Sequence, residues 1–195
     1  MTLANKLTLT RLALALVTFA CLWRQEPAHY VAATILYILA TITDWVDGYV
    51  ARRTNSVSAF GKVADPIADK VLVIGAMIAF VRIPMLSVPS WAVFLIIVRE
   101  LVIGGLRALA GVQGIVLAAD LGGKWKMAIQ SISVMIILLL LVVESYRPGG
   151  LPGWVWSVPH HLIVLSMVVS VLSGLQYLYS SRAMLRKSWN AQGRE

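Results

Sequence analysis

Long apolar stretches alternate with short polar segments along the chain, and their lengths predict helices that cross a membrane. The six apolar stretches, which glycine, proline and charged residues separate, cover residues 7–23, 29–50, 65–81, 90–109, 125–143 and 159–178. Each approaches the ~20 residues that a helix needs to cross ~30 Å of hydrocarbon. Because lipid offers bare backbone groups no hydrogen-bonding partner, helices are the expected form of every stretch. The pattern therefore predicts an all-α polytopic membrane protein, a bundle of six transmembrane helices.

The composition excludes a soluble domain. Of the 195 residues, 59% are apolar and 13% are charged, and the mean hydropathy is +0.80. A water-soluble monomer of this length could not bury so much apolar surface, so part of that surface must face lipid. The same values exclude a disordered chain and a nucleic-acid-binding module. We predict a single membrane domain over residues 1–195.

Basic residues fall mostly on one side of the six-span arrangement. The chain has 17 Lys and Arg against 9 Asp and Glu, a net charge of +8, and only Arg24, Arg82 and Arg147 fall on the opposite side. Membrane proteins collect basic residues on cytoplasmic loops, where these meet anionic head groups. The excess therefore indicates membrane lipids rather than nucleic acid as partners, and it predicts cytoplasmic termini. We also expect a short N-terminal interfacial segment and a basic C-terminal one over residues 180–189.

Four aspartates surround the polar segment between the second and third apolar stretches. Asp44 and Asp47 are three residues apart, and Asp65 and Asp69 are four apart, so each pair shares one face of a helix. The two stretches are consecutive and antiparallel, so we expect their cytoplasmic ends to meet. Ionised acids inside a membrane are costly and usually functional. Four carboxylates can hold two divalent ions ~3.5–4 Å apart, an arrangement common in phosphoryl transfer.

Hard oxygen ligands of this kind favour Mg²⁺, Mn²⁺ or Ca²⁺ over softer metals. The competing interpretation is that the four acids only pair with neighbouring basic side chains at a wet interface. The linker between the pairs favours a bound ligand. Gly48 lets a bulky group approach the backbone, Ala51 is small, Arg52 offers a planar fork to a phosphate, and Gly61 opens the turn into the third helix.

These residues together resemble the full signature of the CDP-alcohol phosphotransferase family. The matching positions are Asp44-x2-Asp47-Gly48-x2-Ala51-Arg52-x8-Gly61-x3-Asp65-x3-Asp69. Every signature position is filled, and the six-span layout extends the likeness over the whole chain. The resemblance implies an enzyme that displaces CMP from a CDP-linked lipid, usually CDP-diacylglycerol, with an alcohol as nucleophile. It also implies a homodimer in the bacterial cytoplasmic (inner) membrane, with each active site facing the cytoplasm.

The resemblance implies a role for each signature residue. Asp44, Asp47 and Asp65 would hold two Mg²⁺ or Mn²⁺ ions, with Asp69 as a further ligand and the general base. The residues that would contact the CDP portion, of which the first two match an Asn-x-x-Thr element of the family, are Asn5, Thr8, Gly48, Ala51, Arg52, Ser58 and Gly61.

Shorter segments resemble the family members that use sn-glycerol 3-phosphate as acceptor and form phosphatidylglycerophosphate. The segments are residues 5–11, Arg99-Glu100 followed by Arg107, and residues 123–126. A dianionic acceptor needs cations beside the metal site. The candidates for binding its phosphate are Arg107, Lys124, Lys126 and Arg11. The positive-inside rule alone also predicts basic residues there, so both interpretations stay open.

Polar side chains inside the fourth, fifth and sixth stretches carry weaker signals. Adjacent helical residues point ~100° apart, so we expect Arg99 and Glu100 not to pair with each other. Glu100 and Arg107 share a face, which fits either an ion pair that positions Arg107 or a structural contact. A stripe on the sixth stretch, typical of helix packing, consists of Ser166, Ser170, Ser173 and Tyr177.

Three alternatives remain at this point. The first is an enzyme of the same family with another acceptor, such as phosphatidylglycerol giving cardiolipin, inositol phosphate or an amino alcohol. The second is a divalent-cation channel or carrier, since acids in spans also mark ion pathways. All four aspartates lie near one membrane face, however, and the other halves of the spans carry almost no acid. The third, a structural scaffold, gives no reason for four clustered acids.

Overall fold

Six long helices make up most of the part of the chain that the structure describes. The structure, a computed structural model, describes residues 3–54, 59–112 and 121–191, with side chains over 7–44, 67–111, 123 and 125–182. The helices are α1 (Leu3–Arg24), α2 (Pro27–Thr54), α3 (Ala59–Val81), α4 (Ser90–Val112), α5 (Leu121–Tyr146) and α6 (Val158–Ala191). Short 3-10 turns cover Pro84–Leu86 and Gly153–Ser157. The described residues form no strand, and the all-α prediction with six helices is confirmed.

The lipid-facing character of the helices is visible in their side chains. Large apolar residues stay exposed along them, among them Phe94, Leu101 and Leu172, each more than half exposed. Three stretches of the described residues are long and apolar enough to cross a membrane, namely Leu7–Arg24, Trp125–Tyr146 and Gly153–Arg182. The chain is therefore a helical membrane protein, as its apolar pattern predicts. The side of the membrane on which the termini lie stays a prediction.

The chain forms two compact units. The first unit consists of Met1–Val88 and Ser131–His160, and the second consists of Pro89–Gln130 and His161–Glu195. In the first unit, α1 packs against both α2 and α3, whereas α2 and α3 have few direct contacts in the described part of the chain. Small buried residues such as Ala33, Ala40 and Ala76 allow this close approach.

The C-terminal end of α1 contacts the C-terminal end of α3. The Arg82 guanidinium carbon lies 3.6 Å from the centroid of the Trp23 ring, a cation–π contact. The Gln25 side-chain amide donates a hydrogen bond to the Arg82 carbonyl at 3.2 Å. Gln25 has a positive φ of 54°, which ends α1 and turns the chain into Pro27, the first residue of α2. Because the C-terminal ends of α1 and α3 meet, these two helices run in the same direction.

At both ends of the described chain, a helix extends beyond its apolar span. The sixth helix does not stop near residue 178 but continues without a break to Ala191, for 34 residues. The reason is that residues 175–191 contain neither glycine nor proline. At ~1.5 Å per residue this helix is ~51 Å long, well beyond the ~30 Å of hydrocarbon. At the other end, α1 begins at Leu3, four residues before its apolar span of Leu7–Arg24. The interfacial location of both end segments stays a prediction.

Candidate active site

One aspartate from each predicted pair meets the same arginine in the first unit. The Arg11 Nη1 atom donates to Asp44 Oδ1 at 2.7 Å and to Asp69 Oδ1 at 3.0 Å. The Arg11 side chain is 1% exposed, while those of Asp44 and Asp69 are 52% and 26% exposed. The two carboxylates therefore converge, and their open sides remain accessible from outside the helices.

Helix α1 brings these carboxylates together. The expected meeting of the ends of α2 and α3 is seen at Asp44 and Asp69, which both contact the Arg11 side chain of α1, a helix that packs against α2 and α3. A planar guanidinium has several donors and a fixed charge, so one arginine can hold two acids that would otherwise repel each other. Thr8, one helical turn before Arg11, is 2% exposed and lies on the same face of α1.

Several predicted site residues lie outside the described side chains. They are Asn5, Asp47, Gly48, Ala51, Arg52, Ser58, Gly61, Asp65 and Lys124. The backbone places Asp47 on α2 and Asp65 on α3, about one turn from Asp44 and Asp69 respectively. The predicted helical spacing of both pairs is thus confirmed for the backbone. The described side chains alone form no group of three or more potential metal ligands.

The donor chemistry of Asp44 and Asp69 fits a hard divalent cation. Both are carboxylates, they converge within hydrogen-bonding distance of one Arg11 nitrogen, and both are partly exposed. A site with these two oxygens and open faces can accept a metal together with water and substrate phosphate. Arg11, predicted as a ligand of the acceptor phosphate, has its described ion pairs with these acids, and its role toward the acceptor stays a prediction.

A second charged centre lies in the second unit. Glu100 Oε1 accepts hydrogen bonds from Arg99 Nη1 at 3.0 Å and from the Lys126 ammonium. Arg99 in turn donates from Nε to the Ser170 carbonyl at 3.1 Å and from Nη2 to Ser173 Oγ at 2.9 Å. Glu100 is 7% exposed and Lys126 is 3% exposed at their side chains. The centre therefore joins α4, α5 and α6.

The pairing of Arg99 with Glu100 overturns the expectation that these neighbours point apart. The long arginine side chain bends back far enough to reach the adjacent carboxylate, and poor solvation strengthens the attraction. Gly174 allows this conformation, because a Cβ atom at that position would lie 2.9 Å from Arg99 Cγ and 3.3 Å from Nε. The contacts of Arg99 with Ser170 and Ser173 were not predicted, although the serine stripe on α6 was visible in the sequence.

Arg107 and Tyr177 form a further contact in the second unit. The Arg107 guanidinium carbon lies 5.5 Å from the centroid of the Tyr177 ring. Arg107 is exposed, whereas Tyr177 is 6% exposed. A cation at this distance from an aromatic face is held there by the ring quadrupole. In the described part of the chain, Arg107 of α4 therefore contacts Tyr177 of α6.

Comparisons with known proteins agree with the signature. A family model described as CDP-alcohol phosphatidyltransferase matches residues 1–176. A relative from Bacillus subtilis is 38% identical over 95% of this chain and 98% of its own length. One from Shigella flexneri is 34% identical over 79% of this chain and 80% of its own, and one from Arabidopsis thaliana is 33% identical over 97% and 63%. All three carry the name CDP-diacylglycerol–glycerol-3-phosphate 3-phosphatidyltransferase.

Proposed function

Because the chain belongs to the CDP-alcohol phosphatidyltransferase family, we propose that it transfers the phosphatidyl group of CDP-diacylglycerol to sn-glycerol 3-phosphate. The products are phosphatidylglycerophosphate and CMP. The observation that carries this proposal is the convergence of Asp44 and Asp69, two signature residues on different helices, at one buried arginine. The names of the relatives support the choice of acceptor.

The proposed cofactor is a pair of Mg²⁺ or Mn²⁺ ions held by Asp44, Asp47, Asp65 and Asp69. When bound, such ions neutralise a pyrophosphate and stabilise the charge that develops on departing CMP. Asp69 acts as general base and takes the proton from the attacking hydroxyl of the acceptor. The donated hydrogen bond from Arg11 to Asp69 Oδ1 fixes the orientation of that carboxylate.

The remaining signature residues bind the two substrates in this proposal. The CDP portion contacts Asn5, Thr8, Gly48, Ala51, Arg52, Ser58 and Gly61. The phosphate of the acceptor is bound by cations, for which the candidates are Arg11, Arg107, Lys124 and Lys126. Residues 1–195 act as one catalytic domain, and the match of the family model to residues 1–176, through both units, supports this. The enzyme works as a homodimer in the bacterial cytoplasmic membrane, and its active site opens to the cytoplasm.

The decisive experiment is CMP release from CDP-diacylglycerol by the purified full-length chain, with a panel of acceptors. We expect release with sn-glycerol 3-phosphate and little release with phosphatidylglycerol, inositol phosphate or serine. Chelator should abolish the reaction, and added Mg²⁺ or Mn²⁺ should restore it. Glycerol, which lacks the phosphate, is the control acceptor. Absence of CMP release with sn-glycerol 3-phosphate would refute the proposal, and divalent-ion uptake into liposomes without CMP release would favour a carrier.

A further inference from the structure

Two exposed arginines lie at the end of the first unit that is distant from the aspartates. Arg24 is the last residue of α1, and Arg82 directly follows the last residue of α3. Trp23, twelve residues after Arg11, lies ~18 Å further along the axis of α1. Basic residues are rare at this end of the six predicted spans, because the positive-inside rule collects them at the other end. The two arginines therefore need another explanation.

The Arg82 residue is held in position, while its side-chain donors stay accessible. Its Cζ lies 3.6 Å from the centroid of the Trp23 ring, and the Gln25 side chain donates to the Arg82 carbonyl at 3.2 Å. The ring contacts the face of the planar guanidinium, whereas the five N–H donors lie in its plane and point to its edges. Among the residues that the structure describes, neither Arg24 nor Arg82 forms an ion pair or donates a side-chain hydrogen bond. Both cations can therefore accept an anionic partner from outside the chain.

The aromatic side chains of this region indicate the depth at which the arginines lie. Trp23 is 48% exposed. Trp154 is also exposed, and its turn, Gly153–Ser157, contacts the turn that follows α3. Tryptophan collects where the hydrocarbon of a bilayer meets the head groups. The arginines beside these rings therefore lie at the level of the lipid phosphates. Glu26, the acid closest to them in the sequence, contacts His29 Nδ1 at 3.1 Å instead.

We propose that Trp23, Arg24 and Arg82 bind the head group of an anionic phospholipid in the leaflet on the side away from the aspartates. The Arg82 fork donates to the phosphate oxygens, and Arg24 adds a second positive charge. The Trp23 ring limits the freedom of the guanidinium, so less entropy is lost when the lipid binds. A head group without an ammonium of its own is favoured, because a zwitterionic one would bring a further cation close to the two arginines.

Native mass spectrometry of the purified full-length chain in detergent, titrated with phosphatidylglycerol, tests this proposal. Each bound lipid gives its own apparent Kd. In Arg82→Gln we expect one of these Kd values to rise about fivefold, which corresponds to ~1 kcal/mol. Trp23→Leu should raise the same Kd about threefold, because the cation loses its aromatic support. Phosphatidylcholine should bind the wild-type chain about fivefold more weakly than phosphatidylglycerol, and Arg82→Gln should reduce that difference.

Arg147→Gln is the matched control. Arg147 is exposed and is predicted to lie on the same side of the membrane, but within the described residues it has no contact with an aromatic ring. This variant loses the same charge and should leave every Kd within about twofold of wild type. Arg82→Lys keeps the charge without the planar fork, so it should raise the Kd by about twofold. It also tests the proposal if Arg82→Gln does not fold.

Three results would overturn the inference. The first is equal lipid binding by Arg82→Gln and Arg147→Gln, and the second is equal binding of phosphatidylcholine and phosphatidylglycerol by the wild-type chain. The third is displacement of the lipid by inorganic phosphate, which would assign the surface to a free anion. Because the titration contains neither CDP-diacylglycerol nor an acceptor, its failure leaves the proposed function intact. A chain that releases no CMP would refute the proposed function and leave this inference standing.

Discussion

The neutralising role of Arg11 gives the sharpest test of the candidate active site. In Arg11→Gln the charge at the centre of the first unit is lost, and Asp44 and Asp69 each lose an ion pair, at 2.7 and 3.0 Å. Since both carboxylate oxygens touch one nitrogen, they lie within about 6 Å of each other, and like charges at that distance repel by ~3 kcal/mol at an effective dielectric of ~20. Partial exposure of both acids reduces this to about 2 kcal/mol.

A loss of about 2 kcal/mol corresponds to a fall in melting temperature of ~4–8 °C for a chain of this size. Intrinsic tryptophan fluorescence can follow unfolding in detergent, because the chain has seven Trp. Chelator should enlarge the difference from wild type, whereas Mg²⁺ should reduce it, because a bound cation replaces the missing charge and stabilises the folded state. Arg24→Gln, at the exposed end of the same helix, is the control and should melt like wild type.

A melting temperature of Arg11→Gln equal to that of wild type in the absence of metal would refute the neutralising role of Arg11. This role is also refuted if Mg²⁺ raises the melting temperature of both proteins equally, because the metal would then not compensate for the lost arginine. Arg11→Lys separates charge from geometry, since an ammonium restores the charge without the planar fork. We expect this variant to fall between wild type and Arg11→Gln.

Three further predictions concern the two charged centres. Asp69→Asn should lower the rate of CMP release by a factor of ~10² or more, because the amide has the same shape but accepts no proton. Its elution in size-exclusion chromatography should be unchanged. A fully active variant would contradict the role of Asp69 as base. Glu100→Gln should destabilise the chain by ~3 kcal/mol in thermal unfolding, because Arg99 and Lys126 lose a buried counter-charge, and a wild-type melting curve would contradict this. Gly174→Ala should lower the free energy of unfolding by ~1–3 kcal/mol, because the added Cβ clashes with Arg99. Gly105→Ala is the control, since a Cβ at that position meets nothing within 4 Å. Equal melting temperatures of the two alanine variants would contradict the close approach of Gly174 and Arg99.

Apolar run length and helical spacing are local properties, and they predicted most of the architecture. The six stretches correspond to six helices, and the aspartate pairs lie on α2 and α3 as their spacing required. The hydropathy pattern ends the sixth span near residue 178 and predicts a surface helix over residues 180–189, which the structure shows as an unbroken continuation of α6. The continuation of α6 to Ala191 follows from backbone propensity, which the hydropathy pattern does not report.

Contacts between residues far apart in the sequence could not be predicted from these local properties. The sequence places Arg11 among the cations expected beside the metal site, but its ion pairs with residues 44 and 69 depend on the packing of α1 against α2 and α3. The Arg99–Glu100 pair was missed for a different reason. The expected angle between neighbours describes Cβ directions, whereas the position of a guanidinium five bonds further out depends on which partners surround it.

The position of Arg11 has a consequence for biogenesis. Helix α1 is synthesised first, so its guanidinium enters the translocon before either acid that will neutralise it has been translated. Arg11 is the fifth residue of the apolar span Leu7–Arg24, so its charge adds less to the free energy of insertion than the ~2.5–3.5 kcal/mol of an arginine at the centre of a span. Asp44 arrives with α2, and Asp69 arrives only with α3. The positive charge of Arg11 is therefore fully compensated only after the first three helices have been synthesised. These helices are the smallest portion of the nascent chain that contains Arg11 and both of its acidic partners.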